Sequence, residues 1–358
     1  MSDGQYSGVT DTTYGSETSR PDGEVLLSIR NLRTRFVTED GDVPAVNGVS
    51  FEVRRGEVLS VVGESGSGKS VTAMSILGLL PSTARIEADH MLWRGESLLN
   101  AGENRMRQVR GGEIAMIFQD PLSALNPVHK VGRQIAEMIL IHESVSKKEA
   151  ESRAVDMLDL VGIPQAASRA GMYPHEFSGG MRQRAMIAMA IACSPDLLIA
   201  DEPTTALDVT VQAQVLEVLL RLKDELNSAI MLITHDLGVV AGISDRVMVM
   251  YAGRQAEVGS TDQVFYRTRH PYTLGLMRSL PRLDHVGSEP LMPITGAPPS
   301  LLRLPTGCAF HPRCPLAGER CSKDVPDLNS GGLGHHPSAC FYADEVSGDS
   351  AGLAGGRA

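Results

Sequence analysis

The residues with the clearest chemistry form one run, Gly63-Glu64-Ser65-Gly66-Ser67-Gly68-Lys69-Ser70. Glycines at 63, 66 and 68 let backbone N–H groups approach an anion with no Cβ in the way. The Lys69 ammonium reaches toward β- and γ-phosphates, and the Ser70 hydroxyl is a hard oxygen ligand for Mg²⁺. The spacing is that of a polyphosphate cradle, so Gly63, Ser65, Gly66, Ser67, Gly68, Lys69 and Ser70 are the candidate nucleotide-binding residues. Two carboxylates end the apolar run Leu197-Leu198-Ile199-Ala200. Asp201 is placed to hold Mg²⁺ through water, and Glu202 to polarise an attacking water. Gln119 and His235 likewise follow apolar runs, Ile114–Phe118 and Ala229–Thr234, where a polar side chain can face a bound nucleotide and its γ-phosphate.

Three weaker signals stand beside these. Ser178, Gly179 and Gly180 open a long helix that runs to Cys193, which makes a second anion-binding helix end; in isolation a plain N-cap accounts for them. Phe36 precedes the turn Glu39-Asp40-Gly41-Asp42, where its ring can stack on a purine, although a core phenylalanine is the plainer account. Cys308, Cys314, Cys321 and Cys340 cluster near the C-terminal end, while Cys193 reads as core. In a reducing compartment the cluster favours metal over disulfide. Four thiolates suit iron–sulfur or zinc, and no C-x2-C pair of a zinc ribbon is present.

These groups need rigid positions. The phosphate loop follows the buried run Val58–Val62 and leads into a helix expected over Val71–Leu80, stopped by Pro81. Continuously apolar runs ending in polar residues are the pattern of a parallel sheet covered on both faces, with ligands at the carboxyl ends. Alternating residues over 25–30 and 46–53 predict antiparallel strands, and Met91–Arg94 a further strand. Residues 131–143 and 147–161 are helical, with Ala150, Ala154, Met157, Leu158 and Val161 on one face, and no strand signal follows until Leu197. Val209–Leu226 predicts an amphipathic helix, and Arg246–Tyr251 and Gln255–Val258 two closing strands. Beyond Phe265 the texture is proline-rich.

The chain has 358 residues, 42% hydrophobic and 21% charged, with a net charge of −10. That suits a globular protein of two or three domains and argues against a sequence-independent grip on nucleic acid. No apolar stretch approaches the roughly 18 residues of a membrane span, and the start lacks a secretion signal, so a cytoplasmic location is expected, with any membrane role exercised through a partner.

Taken together, six motifs in order resemble the ATP-binding subunits of ABC transporters, from about Val25 to Tyr342: the Walker A loop, Gln119, the signature Phe177-Ser178-Gly179-Gly180-Met181, Walker B with Glu202, Asp208 of the D-loop and His235 of the switch. Within that family, Phe177–Arg184, Ala200–Thr210 and His270-Pro271-Tyr272-Thr273 are similar to the oligopeptide/dipeptide and nickel importer subfamily. The resemblance implies an α/β fold: a P-loop NTPase (RecA-like) core with an antiparallel β subdomain, a helical ABC subdomain and a small cysteine-containing C-terminal region. The implied boundaries are a disordered tail over 1–23, a nucleotide-binding domain over 24–265 with its helical part at about 120–194, the C-terminal region over 266–345, and a second tail over 346–358. It implies ATP hydrolysis driving import of di- or oligopeptides, with nickel or another small solute as the alternative, and a soluble non-transport ABC ATPase as the more distant one.

In that family two such domains pack head to tail, with ATP between the Walker A loop of one and the Ser178–Gly180 helix start of the other. Glu202 is then the general base and His235 the γ-phosphate sensor. Lys69, Ser70, Gln119 and Asp201 hold phosphates and Mg²⁺, Phe36 stacks on adenine, and Asp208 lies at the interface. The resemblance also implies a second ATPase subunit, two membrane permease subunits, an extracytoplasmic substrate-binding protein, and a place on the cytoplasmic face of the membrane. Met181 replaces the commoner Gln of the signature, which points to a paralogue as the second ATPase. It further implies that the four tail cysteines ligate a [4Fe–4S] cluster.

Overall fold

The computed structural model describes residues 23–204, 209–279, 294–329 and 336–350, so the expected N-terminal tail, except for its last residue Gly23, lies outside the described residues. Alternating apolar residues produce a long hairpin, β1 (Val25–Thr38) and β2 (Gly41–Arg54), closed at Gly41, whose φ of 124° suits the tip. The buried strand β3 (Val58–Val62) leads through the phosphate loop into α1 (Lys69–Leu77). This helix ends earlier than Pro81 suggests. Gly78 adopts the left-handed conformation (φ 60°), and the Leu79 N–H turns back to the Met74 carbonyl at 2.9 Å, which satisfies an end carbonyl before proline is reached. Short strands follow, β4 (Ala84–Glu87), β5 (His90–Trp93) and β6 (Glu96–Ser97), then α2 (Glu103–Gln108) and β7 (Ile114–Ile117).

A helical block comes next: α3 (Pro121–Ala124), α4 (Val131–His142), α5 (Lys147–Leu160), α6 (Ala166–Arg169) and α7 (Gly179–Ile191). Ser146 caps α5 by accepting the Glu149 N–H, and Ala150, Ala154, Leu158 and Val161 are all buried, the face their spacing predicts. The chain then alternates through β8 (Leu197–Asp201), α8 (Val209–Leu226), β9 (Ala229–Thr234), α9 (Leu237–Ile243), β10 (Arg246–Tyr251) and β11 (Arg254–Ser260). It ends in α10 (Thr261–Tyr266), α11 (Pro271–Arg278), α12 (Glu319–Lys323) and α13 (Ala343–Ser350). α13 runs past 345, and Val346 on it is fully buried.

Among the described residues the strands form two sheets. One is antiparallel, in the order β2-β1-β5-β6 with β4 also on β1. The other runs β11-β10-β3-β9-β8-β7, parallel throughout except for β11. Its strands are apolar on both sides because both faces are covered. Leu59, Val61, Ile199, Met231 and Met248 pack toward the antiparallel sheet. Val58, Leu198, Ala200, Ile230 and Leu232 pack toward the helical block with Ile135, Leu158 and Ala185. Val62, Val247 and Val249 join Tyr251, Tyr272 and Phe310 under the C-terminal region. That region is tied to the sheet edge: β11 pairs with the tail through Ala339 N–H to the Ala256 carbonyl at 2.8 Å and Val258 N–H to the Pro337 carbonyl at 3.0 Å. Among the described residues no helix is long and apolar enough to cross a membrane.

Candidate nucleotide site

The loop after β3 can be built only with glycine at its close approaches. A Cβ at Gly63 would stand 2.2 Å from the Met250 carbonyl oxygen, and one at Gly68, where φ is 99°, would stand 2.4 Å from that of Ala45. Gly68 opens α1, so the backbone N–H groups of Lys69 and Ser70 belong to a helix start. Lys69 is 5% exposed and donates to the carbonyls of Gly63 (2.8 Å) and Glu64 (3.0 Å). Burial pushes its pKa below the usual lysine range, against the pull of the Glu202, Asp201 and Glu64 carboxylates. Ser67 Oγ is buried without a hydrogen-bond partner, a cost that an incoming acceptor relieves, while Ser65 and Gly66 form the exposed tip.

The strand order β3-β9-β8-β7 sets the carboxyl ends of neighbouring strands side by side, and the polar residues that follow them converge. Ser70 Oγ donates to Asp201 Oδ1 at 2.9 Å. Asp201 is 6% exposed, and burial raises its carboxyl pKa; the Ser70 bond opposes that shift, the Glu202 charge adds to it and Lys69 opposes it. A hydroxyl and a carboxylate at this separation are hard oxygen donors that fit Mg²⁺. One residue on, Glu202 has left-handed backbone (φ 48°), held by its N–H bond to the Ile233 carbonyl at 2.8 Å. Such a conformation costs about 1 kcal/mol or more in a non-glycine residue, and here it aims the side chain. The Glu202 carboxylate accepts from Gln119 Nε2 at 3.0 Å and lies 3.5 Å from His235 Nδ1. Residues from positions 119, 202 and 235 thus meet on one carboxylate beside the Ser70–Asp201 pair.

The Ser178–Gly180 helix start stands elsewhere. Ser178 Oγ accepts the Met181 N–H at 3.3 Å and caps α7, and a Cβ on Gly180 would stand 3.0 Å from Val211 on α8. No hydrogen bond joins these residues to the phosphate loop among the described residues. α7 is linked to the segment after β8 through Gln183 Nε2, which donates to the Pro203 carbonyl at 2.6 Å. Phe36 lies half-buried on β1, paired across the hairpin with Val43. Val43 helps to line a cavity of about 300 Å³ shared with Ser65, Gly66, Ser67, Tyr251 and Leu301, so Phe36 flanks that cavity rather than lining it. Asp208 lies outside the described residues.

The four tail cysteines do meet. Cys308, Cys314, Cys321 and Cys340 line one pocket of about 10 Å³, and the Cys308 N–H donates to the Cys321 carbonyl at 2.8 Å. Burial pushes the Cys308, Cys314 and Cys340 thiols up, Cys314 to about 11 and Cys340 to about 12, against backbone hydrogen bonds that lower them. All four are free thiols. No group of three or more His, Cys, Asp or Glu side chains among the described residues is arranged to hold a metal ion. The expected [4Fe–4S] cluster gains no support here: the four cysteines line one pocket, but no metal-holding arrangement is present among the described residues. Cys193 is half-buried, its thiol pushed up to about 11 by burial, in keeping with a core role.

Three further side chains touch the nucleotide region, with no sequence signal for that contact beyond the place of Tyr272 in the His270–Thr273 motif. Tyr272 Oη accepts the Glu64 N–H, Arg313 pairs with the Glu64 carboxylate, and Tyr251 lines the cavity. Glu64 sits at a free position of the loop pattern, and its partners are far along the chain, so no local spacing marks them.

The comparisons with known proteins agree with this geometry. A family model described as "ABC transporter" matches residues 46–205, and "Oligopeptide/dipeptide transporter, C-terminal region" matches 256–321. The chain is similar to the oligopeptide transport ATP-binding protein OppD of Salmonella typhimurium, 55% identical over 84% of this chain and 90% of that protein. It is also similar to the dipeptide transport ATP-binding protein DppD of Bacillus subtilis, 52% identical over 85% and 90%. Among solved structures, the ATP-binding cassette MJ0796 bound to ADP and Pi superposes with a TM-score of 0.58 at 23% identity, covering 66% of this chain and 99% of that one, which shows the fold. With identity of this level across nine-tenths of its relatives, and Walker A and Walker B residues facing each other across one sheet, the chain belongs to the ATP-binding subunits of ABC transporters, in the oligopeptide/dipeptide subfamily.

Proposed function

We propose that this chain, an ABC-type ATPase, powers import of di- and oligopeptides through a membrane transporter. The observation that carries the hydrolytic reading is the meeting of Gln119, Glu202 and His235 beside Ser70 and Asp201. The peptide cargo is supported by relatives named for oligopeptide and dipeptide transport that are 55% and 52% identical to this chain over the matched residues.

In this reading Lys69 leaves the Gly63 and Glu64 carbonyls for the β- and γ-phosphates, and the loop N–H groups hold the remaining oxygens. Ser70, Asp201 and Gln119 would hold Mg²⁺, which would neutralise phosphate charge. Glu202 takes a proton from the attacking water as general base. Gln119 and His235, both on the Glu202 carboxylate here, would serve Mg²⁺ and the γ-phosphate respectively. Phe36 stacks on adenine. The Ser178–Gly180 start, which makes no bond to its own loop, serves the nucleotide of a second ATPase subunit packed head to tail, and Asp208 lies at that contact. The Met181 signature favours a paralogue as that subunit. Two permease subunits and an extracytoplasmic binding protein complete the assembly, with this chain on the cytoplasmic face. Residues 24–265 form the nucleotide-binding domain and 266–345 the C-terminal region. Iron–sulfur chemistry, which gains no support among the described residues, forms no part of this reading.

The test is uptake of labelled di- and oligopeptides, with nickel in parallel, in the source organism carrying wild-type protein or Glu202→Gln. Peptide uptake is expected to fall to background while nickel uptake is retained. Unchanged peptide uptake, or loss of nickel uptake alone, refutes the cargo.

A further inference from the structure

The phosphate loop is gripped from outside by the C-terminal region, through Glu64. The Arg313 guanidinium makes a two-pronged ion pair with the Glu64 carboxylate, Nη1 to Oε2 at 2.7 Å and Nη2 to Oε1 at 2.9 Å. Its side chain is only 6% exposed, its Nε donates to the Thr295 carbonyl at 3.0 Å, and it lies over the rings of Tyr251 and Phe310, each 5.9 Å away. The same Glu64 donates its backbone N–H to the fully buried Tyr272 hydroxyl at 2.7 Å, and its carbonyl receives the Lys69 ammonium at 3.0 Å. One loop residue therefore connects the phosphate-binding lysine to two side chains that lie well over a hundred positions away in sequence.

A fork of this kind is rigid, and with one partner nearly buried it is costly to break, so it fixes where the Glu64 backbone stands. The loop itself, with three glycines, has little stiffness of its own. We propose that Arg313, together with Tyr272, is a positioning residue of the ATP site: acting through Glu64, it holds the phosphate loop in its cradle shape, which makes the C-terminal region part of the nucleotide site. The inference rests on the nucleotide-site reading above. It also accounts for the neighbouring segment over 298–302, which walls the cavity beside Ser65–Ser67.

The loss of a pre-set loop falls on binding, since the polyphosphate must then order the cradle itself. MgATP affinity is measured on the full-length chain for wild type, Arg313→Ala, Glu64→Ala, the double variant, Arg313→Lys and, as a site control, Lys69→Ala, with thermal melting of each without nucleotide. Arg313→Ala and Glu64→Ala are each expected to weaken MgATP binding about tenfold, the scale of lost charge-assisted hydrogen bonds. The double variant is expected to be no weaker than the worse single one, and Arg313→Lys to regain part of the loss. Single variants that melt lower yet bind MgATP as wild type does would reduce the pair to a structural staple and overturn the proposal, as would additive losses. Should the alanine variants fail to fold, Arg313→Lys and Glu64→Gln give the same comparison. If wild type itself binds MgATP no better than Lys69→Ala does, the nucleotide-site reading is what fails.

Discussion

Lowering the pH from 7.5 to 5 should destabilise this chain through a single buried imidazole, His270, which opens the helix carrying Tyr272. His270 is 3% exposed, and its Nδ1 accepts the Tyr272 N–H at 3.1 Å to cap α11. Its other nitrogen is bonded to the Ala339 backbone, so an added proton must go on Nδ1, facing another donor. Burial holds its pKa down to about 4, from an ordinary 6.5, against the favourable Ala339 bond. Because the folded value is depressed, the stability His270 contributes is complete above pH 6.5 and is lost as pH falls toward 4. At pH 5 the unfolded ring is almost wholly protonated and the folded ring scarcely so, a loss of about 2 kcal/mol, rising to about 3 kcal/mol below pH 4. The nearby Glu257 carboxylate takes the backbone N–H groups of Arg269 and His270 rather than the ring, and His336 pairs with it at 2.7 Å. The assay is urea unfolding of the full-length chain at pH 7.5 and 5, comparing wild type with His270→Asn, which keeps a capping acceptor but does not titrate. Asparagine loses the ring packing on Phe310 at both pH values, and the other titrating groups cancel in the double difference. Wild type should lose about 2 kcal/mol more than the variant between the two pH values; equal losses would refute the assignment of a neutral, Nδ1-accepting ring.

Three other outcomes are expected. Glu202→Gln should keep MgATP binding within a fewfold while turnover falls about 10²- to 10⁴-fold, the usual worth of a general base; near-wild-type hydrolysis removes Glu202 from that role. Gly68→Ala, with a Cβ that would stand 2.4 Å from the Ala45 carbonyl oxygen, should abolish nucleotide binding and lower stability by about 1–3 kcal/mol, as read by titration and melting. Ile135→Ala empties a fully buried position between α4 and the sheet and should cost about 2–5 kcal/mol in denaturant unfolding without altering ATP affinity.

Much of this protein is legible in local sequence, for a physical reason: periodicity and turn chemistry act over a few residues. The apolar runs at 197–201 and 229–234 can only be strands covered on both faces, and β8 and β9 occupy those ranges. α8 spans Val209–Leu226 as its amphipathic pattern requires. The loop from Gly63 to Ser70 must be glycine-rich to approach an anion at all. Local reading fell short where signals are brief or compete. The strands β4 and β6 and helix α2 are too short for a period to show, and Gly78 ended α1 before Pro81 could.

Tertiary structure alone decided which of these pieces meet. Nothing in a run of residues states that β9 lies between β3 and β8, yet that order is what brings Gln119, Glu202 and His235 onto one carboxylate and Ser70 against Asp201. Spacing grouped the four cysteines, but only packing set how close they stand and how far burial raises the Cys308, Cys314 and Cys340 thiols. The Arg313–Glu64 fork spans 249 positions and rests on no motif. Residue patterns encode local conformation because their interactions are short in sequence, whereas the site is assembled by burial of two sheet faces and a packed edge, whose partners are chosen by the fold as a whole.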